Sequence, residues 1–426
     1  MRILKFYKSC YVRFSVVFEI SMKNLLFITY DGLTDPLGQS QILPYMIGLS
    51  KAGYKVHILS CEKQLCLVKS VEVINEITKL NNIVWSYTLF TSSPPILAKV
   101  LDFRRLRNKA IQIVKRDQID IVHCRSYVTS NIGVYLKQRF GCKYIFDMRG
   151  FWADERKDSG AWDTQCWFYR ALYNSYKRKE HKFILNADYI ITLTYAAKRE
   201  IESWSYCQNK SLKFQVIPCC ADMEHFSLTT LDDKLLARVQ LGFSADDFIV
   251  SYLGSIGTWY LLDEMLQLFK LIKQRYAKAK LLFVTHSATD LILSKLNTYQ
   301  VNESDIKIVS ASRSEVPIFM KASDINLSFI KPSFSKIASS PTKNAEVLAM
   351  GIPIILNRGI GDVEELVNSG AVYMLSGFTA DDFSLALDAI PPLLRISSEQ
   401  IRDSVVEDYS LENGIQKYLV VYNHLS

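Results

Sequence analysis

The chain has 426 residues, of which 49% are hydrophobic and 22% charged. That is ordinary for a globular protein of two or three domains and excludes a disordered or fibrous chain. No uninterrupted apolar run reaches the ~18 residues that a membrane-crossing helix needs. Nine cysteines, with no C-x-x-C pair, argue against a disulfide framework or a cysteine zinc site and fit a reducing cytosol. The net charge of +8 is unevenly placed: residues 1–215 hold 33 Lys and Arg against 18 Asp and Glu, whereas the remainder holds 18 against 25. The basic half would attract phosphate on anionic lipid, on a lipid-linked intermediate or on nucleic acid, or be solvated helix face. No nucleic-acid motif accompanies the charge, so nucleic acid is not expected as a partner.

Residues 1–22 are basic and aromatic, but Lys8, Arg13 and Glu19 break any signal-peptide core. Because Met22 directly precedes the apolar run KNLLFITY, the extension reads as an upstream start-codon artefact or a membrane-surface arm. From there strand and helix patterns alternate. Strands are predicted at Asn24–Tyr30, Lys55–Ser60, Ile83–Leu89, Ile119–His123, Lys143–Asp147, Tyr189–Leu193 and Phe214–Pro218. A helix is expected over Gln41–Ala52, ended by Gly53, and others over Ile96–Arg116, Val128–Arg139 and Trp167–Asn186. The alternation restarts with strands at Phe248–Leu253, Leu281–Thr285, Ile306–Val309, Ile325–Phe329, Ile352–Leu356 and Val372–Leu375, with helices at Trp259–Arg275, Leu291–Leu296 and Val363–Asn368 between them. Tyr409–Leu425 is a final amphipathic helix. The pattern implies βαβ units in two doubly wound parallel sheets, with a boundary near Pro218. Open parallel sheets bind ligands outside the carboxyl ends of their strands, so the loops just after strands carry the candidate chemistry.

In the first half three loops stand out. The loop YDGLTDPLGQSQ has Gly38 and Gln39 before a helix, where backbone can approach a ligand or simply turn. His123 closes a predicted strand, with Arg125 two residues on; it reads as an acid, base or hydrogen-bond donor at a site, or equally as a satisfied structural residue. The segment FDMRGFWADER places Asp147 and Arg149 at a strand end and Trp152 where it can stack on a sugar; the alternative is an ordinary loop with surface ion pairs. The helix Ile96–Arg116 interleaves seven Lys and Arg with apolar residues, which suits a membrane surface or a solvated outer face.

In the second half YLGSIGTWY puts Gly254 and Ser255 in a small turn that can hold a diphosphate through backbone N–H groups. It is neither a P-loop nor a dinucleotide fingerprint. NRGIGDVEEL places Gly359 and Gly361 before another helix start. The most informative stretch is SSPTKNAEVLAMGIPIILN, residues 339–357. Ser339 or Ser340 would cap a helix, Pro341 would be its first residue, Thr342 to Met350 its body and Gly351 its left-handed stop. Lys343 and Glu346 share a face near the positive end, which suits a phosphate with sugar hydroxyls one turn further in. Taken alone, the stretch reads equally as a capped surface helix with an i,i+3 ion pair.

These segments together resemble the GT-B glycosyltransferases, most closely the retaining glycosyltransferase family 4. The resemblance rests on VIPCCADMEHF at the linker, YLGSIGTWYLLDEML opening the second domain, SSPTKNAEVLAMGIPII near its end, and DPLGQSQILPY in the first loop; it covers residues from Met22 onward. It implies two Rossmann-like domains facing a central cleft: residues 23–217 on the acceptor side, 218–408 binding a nucleotide-sugar, and a C-terminal helix, 409–426, crossing back to the first domain. Glu346 matches the second glutamate of the family's paired motif, which usually binds the nucleotide ribose. The first glutamate's position is Ala338, and the S-P-T-K-x-x-E form resembles a variant in which Ser340, Thr342 and Lys343 approach the diphosphate. The family's usual Arg and Lys after the first strand of the second domain are absent, and Cys219 and Cys220 replace its linker Asn and Gly. His123 matches a strand-end His that lies near the transferred sugar. The resemblance implies a cytoplasmic hexosyltransferase, peripheral on the inner face of the membrane, that needs no metal or other cofactor and moves a sugar to a lipid-linked or polysaccharide acceptor. A sugar-nucleotide epimerase and a catalytically silent binding partner are the competing readings.

Overall fold

Most of the apolar runs become strands buried on both faces, as the inner strands of parallel sheets are, while the edge strands are more exposed. The computed structural model describes residues 23–286, 289–366 and 370–425, so the expectations for residues 1–22 and 367–368 lie outside the described residues. The chain divides into two compact units. One runs to Pro218 and resumes at Gly414; the other is Cys219–Asn413.

The first unit holds β1 (Asn24–Ile28), β2 (Lys55–Glu62), β3 (Val84–Leu89), β4 (Ile121–Arg125), β5 (Lys143–Asp147), β6 (Tyr189–Thr192) and β7 (Phe214–Val216). They form a parallel sheet in the order β3-β2-β1-β4-β5-β6-β7. The second unit holds β8 (Phe248–Leu253), β9 (Ala279–Val284), β10 (Ile306–Val309), β11 (Ile325–Ser328), β12 (Ile354–Asn357) and β13 (Val372–Leu375). Their parallel order is β10-β9-β8-β11-β12-β13. Each sheet reverses its winding once, between β1 and β4 and between β8 and β11. Those are the points where an open α/β sheet leaves a crevice for a ligand.

Three expectations change. β4 runs on to Arg125, which pairs with Asp147 in register. His123 therefore lies inside the strand rather than at its end. The helix expected over Gln41–Ala52 is Leu43–Lys51, preceded by a short helix, Pro36–Gln41, with Ile42 between them. The final helix starts at Leu411 rather than Tyr409, and a separate helix, Ser398–Tyr409, precedes it. Ala221 accounts for that break: its N–H donates to the Tyr409 carbonyl at 2.8 Å, its carbonyl accepts from Leu411 at 2.9 Å, and Ser410 between them is extended.

From Gly414 the last helix packs on the first unit. Tyr418 meets Tyr45 edge-on at 5.2 Å, Tyr422 lies 5.4 Å from Tyr54, and the Tyr54 hydroxyl donates to Asn423 at 2.8 Å. Gly48 permits this approach, since a Cβ there would stand 2.5 Å from Ile415 Cδ1. Gly48→Val should destabilise the first unit by about 1–3 kcal/mol, the usual cost of overpacking. Urea denaturation measures this, and an unchanged midpoint would mean that the last helix does not close on Gly48.

Candidate functional site

In the second unit the two loops at the reversal point are joined. Tyr260 bridges Ile330, and the Lys331 N–H donates to the Trp259 carbonyl at 2.8 Å. The loop after β11 then turns through Phe334–Ala338 into the helix Thr342–Ala349. That helix ends as its sequence predicts, with Gly351 left-handed at φ +75°. Its start differs: Pro341 is the cap residue itself and supplies no side-chain hydrogen bond. The first-turn N–H groups therefore have no side-chain cap. The Ser340 hydroxyl instead accepts from the Cys219 N–H at 3.1 Å, tying the helix start to the linker. Thr342 is half-buried in the first turn.

Lys343 and Glu346 do not pair with each other. The Lys343 side chain runs inward and is only 9% exposed. Its Nζ donates to the Tyr252 hydroxyl at 3.2 Å and lies 4.3 Å from the ring centres of both Tyr252 and Tyr260. The Tyr252 hydroxyl in turn donates to the Ser255 carbonyl at 2.5 Å, which fixes the turn after β8. Gly254 in that turn has φ +124°, and a Cβ there would sit 3.6 Å from Lys343 Nζ, so its glycine keeps the backbone open beside the ammonium. No carboxylate among the described residues forms an ion pair with Lys343, and burial pulls its pKa down to about 7. The ammonium thus lies between tyrosine faces, beside this turn, whose Gly254 N–H already donates to the Val284 carbonyl at 3.0 Å, and beside the helix start, where the Asn344 N–H donates to the Pro341 carbonyl at 3.1 Å.

Glu346, one turn further along, is also buried. Burial pushes its carboxyl up, and Arg313, whose Nη1 donates to Oε1 at 3.4 Å, pulls it back. Arg313 lies in the loop after β10, 5.6 Å from the Phe226 ring centre, and its carbonyl lies 3.0 Å from His225 Nε2. Sequence reading missed both Arg313 and His225. Inspection of every strand-end loop would have included Arg313. Gly361 stands apart: its N–H donates to the Lys336 carbonyl at 2.8 Å and is already used. Ala338, where the family has its first glutamate, is buried.

In the first unit the reversal point carries Asp31 after β1 and Arg125 at the end of β4, with Nε 3.3 Å from the Asp31 carboxylate. Asp147, fully buried, lies 3.7 Å from the guanidinium groups of both Arg125 and Arg149. Burial alone would raise its pKa; Arg149, His123 and Arg125 outweigh burial and hold it below the ordinary carboxylate range. His123 is fully buried too, beside Asp147. Gly38 does not stand before a helix but within one, and its Cα abuts the backbone of Gly32 and Leu33: a Cβ would be 2.0 Å from the Gly32 carbonyl oxygen. Its close approach is to its own loop. The Gln39 amide folds back on the Thr34 carbonyl at 3.1 Å. Trp152 is half-buried in an aromatic cluster, 4.8 Å from Tyr176 and 5.3 Å from Trp162, with Arg156 5.1 Å from its ring centre. The structure therefore brings Asp147 and Arg149 together with Arg125 and Asp31, and turns Gly38, Gln39 and Trp152 to packing.

Residues 46–225 match the model of Glycosyltransferase Family 4. No curated protein sequence matches the chain. Among solved structures, a glycosyltransferase from Rickettsia africae shares 15% identity, with 95% of this chain and 99% of that one covered at a TM-score of 0.69. HepE from Anabaena, solved with UDP and glucose, shares 13%, with 94% and 100% covered at 0.69. Sucrose-phosphate synthase from Thermosynechococcus elongatus shares 14%, with 95% and 99% covered at 0.66. At such identities the neighbours speak to fold alone. The chain thus has the GT-B fold of these glycosyltransferases and matches glycosyltransferase family 4 over residues 46–225.

Proposed function

We propose that the protein transfers a hexosyl unit, with retention, from a nucleotide-sugar to a lipid-linked or polysaccharide acceptor in cell-surface polysaccharide synthesis. The observation that carries this reading is the buried Lys343 ammonium, which pairs with no carboxylate among the described residues and faces the Gly254–Ser255 turn and an uncapped helix start. A donor diphosphate supplies the missing negative charge, and Glu346 accepts from the ribose hydroxyls. As the diphosphate leaves, the charge developing on it meets Lys343 and backbone N–H groups that are already in place, so no metal enters the scheme. The crystallised complex of HepE with UDP and glucose, on the same fold, supports a uridine nucleotide as the first donor to try.

The acceptor side of this reading lies in the first unit, at Asp147, Arg149, Arg125 and Asp31. Its basic helix Pro95–Asp117 exposes Lys99, Val100, Arg104, Arg105, Lys115 and Arg116, and edge strand β3 exposes Val84, Tyr87 and Leu89. Cations beside exposed apolar residues suit an anionic membrane face, where a lipid-linked acceptor would be met. Flotation with phosphatidylglycerol vesicles should carry the protein at low salt and release it at high salt, and Arg104→Glu with Arg105→Glu should abolish binding. Equal binding to neutral phosphatidylcholine vesicles would refute the electrostatic part.

Thermal-shift measurements with UDP-, GDP- and ADP-sugars test the donor site directly, because a ligand of the folded state raises Tm as its concentration exceeds Kd. One of them should raise the Tm of the wild type. Lys343→Met should abolish that shift while raising the Tm of the ligand-free protein, since a buried unpaired charge is replaced by an apolar chain of similar length. No shift with any nucleotide-sugar, or a retained shift in Lys343→Met, would remove the donor assignment.

The affinity should also depend on pH. Lys343 must be charged to face a diphosphate, and its pKa without ligand is about 7. Donor Kd should therefore be flat below that value and rise by up to about tenfold per pH unit above it, until the pKa of the complex is reached. A wild-type Kd that does not change between pH 6 and about 9 would contradict this role of Lys343.

A further inference from the structure

The last helix reaches the buried charge cluster of the first unit through one side chain. Within β4, the His123 ring lies 4.5 Å from Phe27 of β1 on one side, and 5.7 and 6.0 Å from Tyr418 and Tyr422 on the other. Its Nδ1 is 2.5 Å from the Tyr422 hydroxyl, and its Nε2 is 3.4 Å from Asp147 Oδ2. Burial keeps the imidazole neutral and the Tyr422 phenol protonated. A neutral imidazole offers one donor and one acceptor. A phenol can serve either nitrogen state, but a carboxylate only accepts. A lone pair on Nε2 would face the Asp147 carboxylate, like against like, in a place that water does not reach.

The backbone around the cluster adds a second observation. Ser126, directly after β4, has φ +69°, and Arg149, just after β5, has φ +47°. Left-handed non-glycine residues cost on the order of 1–3 kcal/mol each and persist where their surroundings fix them, commonly at functional sites. The two strained residues flank Arg125 and Asp147.

We propose that Tyr422 is a positioning residue: the Asp147 carboxylate selects the His123 tautomer with its proton on Nε2, and the Tyr422 hydroxyl, donating to Nδ1, holds the imidazole in place against Asp147. The consequence for transfer rests on the reading that these strand ends meet the acceptor. The tautomer itself does not. The C-terminal helix is then more than a cover for the first sheet; it supplies the outermost member of a chain that runs Tyr422, His123, Asp147.

Two-bond 1H–15N spectra of the ligand-free full chain, labelled with 15N-histidine, read the tautomer without any substrate. The wild type should show His123 protonated on Nε2. Tyr422→Phe, which keeps the ring and loses only the hydroxyl, should keep the proton on Nε2 and shift the Nδ1 resonance, which has lost its donor. His123 protonated on Nδ1 in the wild type, or an unchanged His123 signal in Tyr422→Phe, overturns the proposal; the wild-type spectrum decides alone should the variant fail to fold. In a transfer assay Tyr422→Phe should lower kcat several-fold at unchanged donor KM, because the donor site lies in the other unit. A folded variant with wild-type kcat would overturn the positioning role. A wild type without transferase activity would count against the proposed function and leave the tautomer result standing.

Discussion

Parallel strands cannot be joined by a tight turn, so each connection must cross a face of the sheet and start again at the same end. Every loop that leaves the carboxyl end of a strand is then held by a sheet edge on one side and a helix start on the other. Where the winding reverses, adjacent loops part in opposite directions. In this chain a group of buried charges lies at each of those two places. Asp147 and Arg125 lie where β4 ends beside β1, and Lys343 lies where the loops after β8 and β11 meet. Arg125 and Asp147 are the last residues of their strands, so the polar groups stand where the topology opens a gap.

The two gaps treat charge in opposite ways. Asp147 is surrounded by the cations of its own unit, which outweigh its burial, so it is ionised across the ordinary pH range. Lys343 has aromatic faces and a phenolic oxygen but no carboxylate, so burial prevails. The first arrangement balances its charge, although neither Asp147 oxygen has a hydrogen-bond partner among the described residues. The second costs stability in the free protein, and on the proposed reading a negative ligand completes it, a common trade at binding sites.

Much of the scaffold was legible. Lys143–Asp147, Phe248–Leu253, Ile306–Val309 and Val372–Leu375 are strands over the residues read from sequence, because each is a short apolar run between polar or turn-forming neighbours. The end of β4 was not legible, because Arg125 looks like a loop residue until Asp147 on β5 pairs with it. The site was legible in its residue types and less so in its partners. Lys343 and Glu346 share a helix face, which suggests an ion pair, yet Tyr252 and Arg313, 91 and 33 residues away, are their partners. Trp152 was read as a sugar platform because nothing local covers it; Tyr176, on the next long helix, lies against it. Local spacing finds which groups point the same way, and only the tertiary fold decides what they meet.

The solitary ammonium of Lys343 has a thermodynamic signature. Its pKa without ligand, about 7, is far below the ordinary 10.5, so between those values the unfolded chain holds a proton that the folded chain lacks, and the free protein gains stability as pH rises through that window. On the proposed reading, a diphosphate bound beside it pulls the proton back. Near neutrality, then, occupancy by the donor is also proton uptake, up to one per site. The measured heat of binding would change with the ionisation enthalpy of the buffer, and an unbuffered solution would turn slightly alkaline as the site fills.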